Sequence, residues 1–320
     1  MNIRRNKVLL LLLSLLLITS LISGCVRVKE EYREKDQDND DLSKIELPDS
    51  VYPMEIEDGF GNKVTLDGKP WRIISLAPNH TEILFKLGLG NRIVGVDSYS
   101  DYPAEAKEIE KVGDSETINI EKIIELDPDL VIQYGPGAED VNKSLRDAGI
   151  TLLSYEPESI DDVINLITEL GKITDTMRTA KMETVVMQSK LEYITQVVED
   201  AEKTKVFYEV WNDPLMTAGP GTFLNELITL AGGENIAADA EEGYPLFDTE
   251  QLIEKNPDVY IATKDSDKEE IINRPGYDEI NAINNDRIYL LEPNIISRPG
   301  PRIVDGLELM AKTLHPELFE

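Results

Sequence analysis

The stretch ITDTMRTAKMETVVMQSKLEYITQVVEDAEK, Ile173 to Lys203, contains neither Gly nor Pro, although both punctuate the chain on either side. Apolar or small residues recur at Ile173, Met177, Ala180, Thr184, Met187, Leu191, Ile194, Val198 and Ala201. That 4-3-4-3 spacing lays one stripe along a helix, with Arg178, Lys181, Glu183, Lys190, Glu192 and Glu199 covering the rest. At 1.5 Å per residue, such a helix spans roughly 45 Å, about the width of a two-lobed protein. A coiled-coil segment is the alternative. The seam contains Thr, Ala and Met where a coiled coil favours Leu and Ile, and long α/β segments flank it. A helix crossing from one lobe to another accounts better for those flanks.

Working towards the N-terminus, strand and helix patterns alternate. Met54–Glu57 and Lys63–Leu66 flank Asp58-Gly59-Phe60-Gly61-Asn62, a hairpin signal. Strand patterns at 72–76, 92–96, 130–133 and 151–154 are separated by helical patterns at 83–87, 120–126 and 141–148. Beyond the long stretch the same order returns, with strands at 205–210, 259–262 and 287–291 and helices at 222–230 and 302–314. This alternation predicts α/β architecture: two Rossmann-like lobes with parallel sheets, joined by a single long α-helix. An internal echo supports related lobes. Residues 119–132 align without gaps to 248–261, each reading as cap, short helix, Pro turn and strand. Two related lobes facing each other place the interesting volume in the cleft between them.

The ends and the composition set further bounds. Arg4, Arg5 and Lys7 precede an almost wholly apolar run, Val8 to Ile22. Leu21-Ile22-Ser23-Gly24-Cys25 then resembles a bacterial lipoprotein cleavage box, with the chain's only Cys where the lipid would be attached. An uncleaved anchor is the other reading of this segment. We therefore expect a signal peptide at 1–24, lipidation at Cys25 and a polar tether at 25–50. An N-terminal lobe at 51–172, the linking helix at 173–203 and a C-terminal lobe at 204–320 would follow. The 32 basic and 62 acidic residues give a net charge of -30, which disfavours nucleic acid and anionic membrane surfaces. One Cys and two His leave little for a Cys/His metal cage, and no resident cofactor or metal is expected. The chain lacks G-x-S-x-G, H-E-x-x-H and P-loop patterns, and neither Gly88-Leu89-Gly90 nor Gly135-Pro136-Gly137 fits a dinucleotide fingerprint. We expect a protein that is not an enzyme.

Several motifs stand in one order: the lipoprotein box, Ser75-Leu76-Ala77-Pro78-Asn79-His80-Thr81-Glu82-Ile83, residues 94–103, Leu126-Asp127-Pro128-Asp129-Leu130-Val131, the long helical stretch, and Ala231-Gly232-Gly233-Glu234-Asn235-Ile236. Together, over roughly residues 55–315, they resemble the substrate-binding lipoproteins of ABC importers for cobalamin, ferric siderophores and haem. Ser98-Tyr99-Ser100-Asp101-Tyr102-Pro103 is most similar to the cobalamin-binding branch. The resemblance implies an extracytoplasmic, lipid-anchored monomer that passes a small-molecule ligand to a permease dimer with its ATPase subunits. It implies ligand contacts at Tyr99, Tyr134, Met216, Tyr244 and Arg298, and a corrinoid as the ligand, with a ferric siderophore or haem as the alternative. The sequence departs from the best-known cobalamin binder, which has Trp or Phe at several of these positions and another Trp where Ser115 stands. Arg298 would equally suit an anion on a siderophore or haem. His80, at a strand-to-helix turn, would either coordinate haem iron or a corrin cobalt, or hydrogen-bond the backbone. Glu121 and Glu250 occupy the same place in the two halves of the echo. In the family, one exposed Glu per lobe engages Arg residues of the membrane subunits; a helix-dipole role in the first turn is the alternative.

Overall fold

The computed structural model describes residues 49–114 and 117–319. The signal peptide, Cys25, nearly all of the expected tether and Ser115 lie outside the described residues. Near the start of the described residues, Ser50 Oγ donates to the Lys172 carbonyl (2.5 Å) and the Ser50 N–H donates to Asp175 (3.2 Å).

The N-terminal lobe opens with an antiparallel hairpin, β1 (Met54–Glu57) and β2 (Lys63–Leu66). It continues through β3 (Ile73–Ser75), α1 (Pro78–Lys86), β4 (Ile93–Val96), α2 (Ile120–Glu125), β5 (Leu130–Tyr134), α3 (Glu139–Asp147), β6 (Thr151–Tyr155) and α4 (Ile160–Ile173). Its four-stranded sheet has the order β4-β3-β5-β6, with every pair parallel. The helix α5 (Met177–Val198) then leads into β7 (Thr204–Asn212), β8 (Leu215–Thr217), α6 (Phe223–Leu230), β9 (Gly233–Asn235), α7 (Thr249–Lys255) and β10 (Val259–Thr263). The chain ends through α8 (Lys268–Ile272), α9 (Asn281–Asn284), β11 (Ile288–Leu291), α10 (Pro293–Ile296) and α11 (Ile303–Leu314). In the second sheet β10 lies between β11 and β7, and β9 also pairs with β7, all parallel. Only β8 runs antiparallel there, as the return of a hairpin from β7.

Alternation along the strands explains how the layers are held. Ile73, Leu130, Ile132, Val206, Tyr208, Val259 and Ile261 belong to one large apolar cluster. Their neighbours face away: Ile74 and Val131 into a smaller cluster of the first lobe, Phe207 and Tyr260 into one of the second. The large cluster includes residues of both lobes and also Ala180, Met187, Ile194 and Val198 of α5. Those four belong to the stripe read from sequence. The inner faces of the two sheets therefore share one core, with α5 built into it. Ion pairs tie α5 to helices of both lobes: Lys86 of α1 to Glu183 (3.1 Å), and Lys190 to Asp305 and Glu308 of α11 (2.6 Å each).

The linking helix is shorter than the 173–203 expected. Ile173 closes α4, and the chain turns at Thr174–Thr176 with Asp175 in the left-handed region (φ 56). The turn brings α4 back against α5 so closely that a Cβ on Gly171 would lie 2.4 Å from the Ala180 Cβ. At its other end α5 stops at Val198, where Glu199 forms the cap. Its 22 residues span about 33 Å.

The internal echo is geometric. Asn119 caps α2 by accepting from the Lys122 N–H (2.9 Å), and Asp248 caps α7 by accepting from the Glu250 N–H (2.6 Å). Each helix ends in a residue with positive φ, Asp127 (45) and Asn256 (47), directly before a Pro. The next residue then donates its N–H to the start of a neighbouring strand: Asp129 to the Arg72 carbonyl, Asp258 to that of Lys205.

Candidate binding site between the lobes

In parallel α/β sheets, ligand-binding loops gather at the carboxyl ends of the strands. Tyr134 is the last residue of β5 and remains 41% exposed. Its hydroxyl pKa is pushed up to about 12, chiefly by burial and then by Glu156, Tyr244 and Glu158. Tyr244 belongs to the other lobe, so the two tyrosines are electrostatic neighbours across the interlobe face. Tyr244 is itself half exposed, and burial raises its pKa. Tyr208 of β7 is fully buried, and its pKa is raised by burial and by Tyr244.

Met216 reaches the same place from β8. It pairs with Trp211 in the hairpin and bridges to Leu246, while the Thr217 N–H donates to the Pro245 carbonyl (3.1 Å). This pairing fixes the 243–247 segment that carries Tyr244. Trp211 and Leu246 are both well exposed beside it. Neither was singled out from the sequence. Their signal is a large apolar side chain in a turn-rich segment, which gains meaning only once the hairpin and the returning segment are paired.

Tyr99 projects from the loop after β4 and is exposed. A buried hydrogen-bond chain holds that loop. Thr81 Oγ1 donates to Ser75 Oγ (2.9 Å) and lies 2.8 Å from Ser100 Oγ, which donates to the Asp97 carboxylate. Asp97 also accepts from the Tyr99 N–H (2.8 Å). Burial raises the Asp97 pKa, against the lowering effect of those donors and of Lys111 and Arg298.

His80 sits within the first turn of α1 and is fully buried. Neither ring nitrogen has a hydrogen-bond partner, so the backbone-bonded reading does not describe it. Its ring packs 6.1 Å from that of Tyr134 and 6.5 Å from that of Tyr155, and burial holds its pKa down to about 3. It therefore backs Tyr134 as a neutral imidazole and has no exposed surface.

Arg298 is engaged on both sides. Its Nη1 donates to Glu82 (2.8 Å) and to Asp101 (2.9 Å), both on the N-terminal lobe. Glu82 also accepts from Arg302 Nε (2.9 Å) and Nη2 (2.6 Å). The Arg302 guanidinium lies 3.8 Å over the Tyr102 ring, and Asn79 Nδ2 donates to the Pro299 carbonyl (3.3 Å). Glu82 was read as part of a motif and given no role. It is the fifth residue of α1, and its partners lie 216 and 220 residues away.

Among the described residues, the Glu121 and Glu250 side chains form no hydrogen bond with those named above. Both are exposed in the first turns of α2 and α7, and neither makes an ion pair among the described residues.

Residues 73–295 match the family model described as periplasmic binding protein. The chain is 34% identical over 316 residues to the uncharacterized ABC transporter substrate-binding lipoprotein YvrC of Bacillus subtilis, covering 96% of this chain and 97% of that protein. Among solved structures, it is similar to a Staphylococcus epidermidis protein described as a possible iron-binding (periplasmic solute-binding) protein, with TM-score 0.70, 34% identity, and 78% of this chain and 100% of that one covered. It is also similar to the periplasmic vitamin B12-binding protein BtuF of Vibrio cholerae, with TM-score 0.68, 31% identity, and 78% and 99% covered. The chain thus belongs to the periplasmic binding protein family, as an ABC-importer substrate-binding protein of the group that includes cobalamin, siderophore and haem binders.

Proposed function

We propose that this protein is the lipid-anchored, extracytoplasmic binding component of an importer, that it holds a corrinoid between its lobes, and that it hands that ligand to a permease dimer driven by ATPase subunits. The observation that carries the ligand reading is the tyrosine pair Tyr134 and Tyr244, neighbours from opposite lobes and both partly exposed. Aromatic faces cover a flat macrocycle well, and phenol tips serve its amide side chains. Tyr99 and Met216 extend that surface on either lobe, with Arg298 at its edge and His80 as the packing behind Tyr134. Similarity to a vitamin B12-binding protein supports the same ligand, whereas similarity to a protein described as iron-binding supports a ferric siderophore or haem. The exposed Glu121 and Glu250, set identically in the two lobes, are the proposed contacts to the two permease subunits. Calorimetric titration with cyanocobalamin tests the ligand. One-to-one binding is the expected result; absence of binding, together with a positive titration by haem or a ferric siderophore, would move the ligand to the second class.

A further inference from the structure

Three cations of the C-terminal lobe lie near Asp101 of the N-terminal lobe, Lys264, Arg298 and Arg302, and each already has an anionic partner. Lys264 pairs with Glu292. Arg298 and Arg302 share Glu82, whose side chain is only 2% exposed, and Arg298 has Asp101 as its second carboxylate. Three bonds converge on Glu82: Oε1 accepts from Arg298 and Arg302, and Oε2 accepts from Arg302 Nε. The forked contact of Arg302 and the Nη1 of Arg298 shared between two carboxylates engage both guanidiniums by charge-assisted bonds. Meanwhile, exposed acids border the tyrosines: Glu156 and Glu158 act on Tyr134, and Glu241 and Glu242 directly precede Gly243-Tyr244.

We propose that Glu82 is a specificity-determining residue: by holding Arg298 and Arg302, it withdraws both guanidiniums from the cleft and confines the ligand to neutral or cationic molecules. This rests on the reading that the ligand lies between Tyr134 and Tyr244, and it adds the charge the ligand must carry. An anionic ligand approaching the cleft meets the acids near the tyrosines and finds no unpaired guanidinium to offset them. A role limited to clasping the lobes would act alike on every ligand; a role in specificity acts on the ratio between ligands of different charge.

The test compares cyanocobalamin with its monocarboxylate derivative, in which one side-chain amide is hydrolysed, by calorimetry on the purified full-length protein. The wild type should favour the amide form by about tenfold or more, the scale of one charge-dependent contact. Glu82→Gln keeps the shape but removes the charge and replaces one accepting oxygen with an NH2 group that cannot accept, so it loosens the hold on the guanidiniums and should bring the two affinities within about threefold of each other. Asp101→Asn, at an exposed partner of Arg298, should move the ratio the same way by less. Equal affinities in the wild type, or an unchanged ratio in Glu82→Gln, overturn the proposal. If cyanocobalamin fails to bind, the corrinoid reading falls, and the charge inference is read with a neutral ferric hydroxamate against a trianionic ferric catecholate siderophore. The neutral chelate should bind the wild type more tightly, with Glu82→Gln narrowing the gap; equal binding by the wild type overturns the inference.

Discussion

At the scale of single residues, burial decides what each polar group does. His80 has both ring nitrogens unpartnered in a fully buried position, which disfavours the imidazolium. Its pKa is held at about 3 in the fold against an ordinary 6.5. The unfolded chain therefore takes up a proton first as the pH falls, and stability present above about pH 6.5 is lost progressively towards pH 3. The slope from this one group is about 1.4 kcal/mol per pH unit. His80→Leu should remove that slope. Between pH 6.5 and 5, urea denaturation of the wild type should show a loss about 2 kcal/mol larger than that of the variant. Parallel losses would mean that carboxylates elsewhere govern the acid limb. Tyr134→Ala and Tyr244→Ala should each weaken ligand binding by about tenfold or more, with the fold retained, because each removes an aromatic face from a partly exposed site. An unchanged affinity in both would place the ligand elsewhere. Tyr134 could be picked out through the family resemblance, just past the end of the strand pattern at 130–133. Glu82 could not be assigned a partner, since nothing local to residue 82 reveals Arg298 or Arg302.

At the scale of elements, sequence reading succeeded where periodicity and turn chemistry act over short range. The central parallel strands β3, β5 and β10 are short runs buried on both faces, and α2, α6 and α7 carry side-chain caps, so alternation alone gives the α/β layers. The apolar stripe of α5 was equally plain, since Ala180, Thr184, Met187, Ile194 and Val198 are its buried residues. The break before α5 was not. No Gly or Pro marks residues 174–176, and the turn depends on a left-handed Asp175 and on the α4–α5 packing at Gly171. A tertiary contact of that kind leaves no local pattern. It makes a sharp prediction, however. Gly171→Ala should destabilise the protein by about 1–3 kcal/mol through overpacking against Ala180. Ala180→Gly in the same chain should restore part of that loss despite its own helix-propensity cost of about 1 kcal/mol. A double-mutant cycle of denaturation midpoints measures the coupling, and strict additivity would mean that the contact relaxes freely.

At the scale of the whole molecule, the two lobes are related by their echo yet joined by a common core. A hinge of flexible strands would let them swing, but Ala180, Met187, Ile194 and Val198 anchor α5 inside that core. We expect ligand binding to close the lobes by only a few degrees, so small-angle scattering curves of free and ligand-saturated protein should nearly superimpose; a marked fall in radius of gyration would refute this. The docking reading makes a separate prediction. Glu121→Ala with Glu250→Ala should lower uptake through the cognate importer while calorimetric affinity for the ligand stays within about twofold, because on that reading both exposed carboxylates serve the permease and not the ligand. A fall in affinity with unchanged uptake would assign them to the fold or the pocket instead.

The shared core also bears on traffic at the membrane. With α5 holding the lobes in register, the spacing between Glu121 and Glu250 stays nearly constant whether or not the cleft is filled. On the docking reading, vacant and loaded carriers then present the same pair of carboxylates and queue for the same berth. Raising the cell's supply of this protein beyond its supply of ligand should slow import, as idle carriers occupy permeases that loaded ones need.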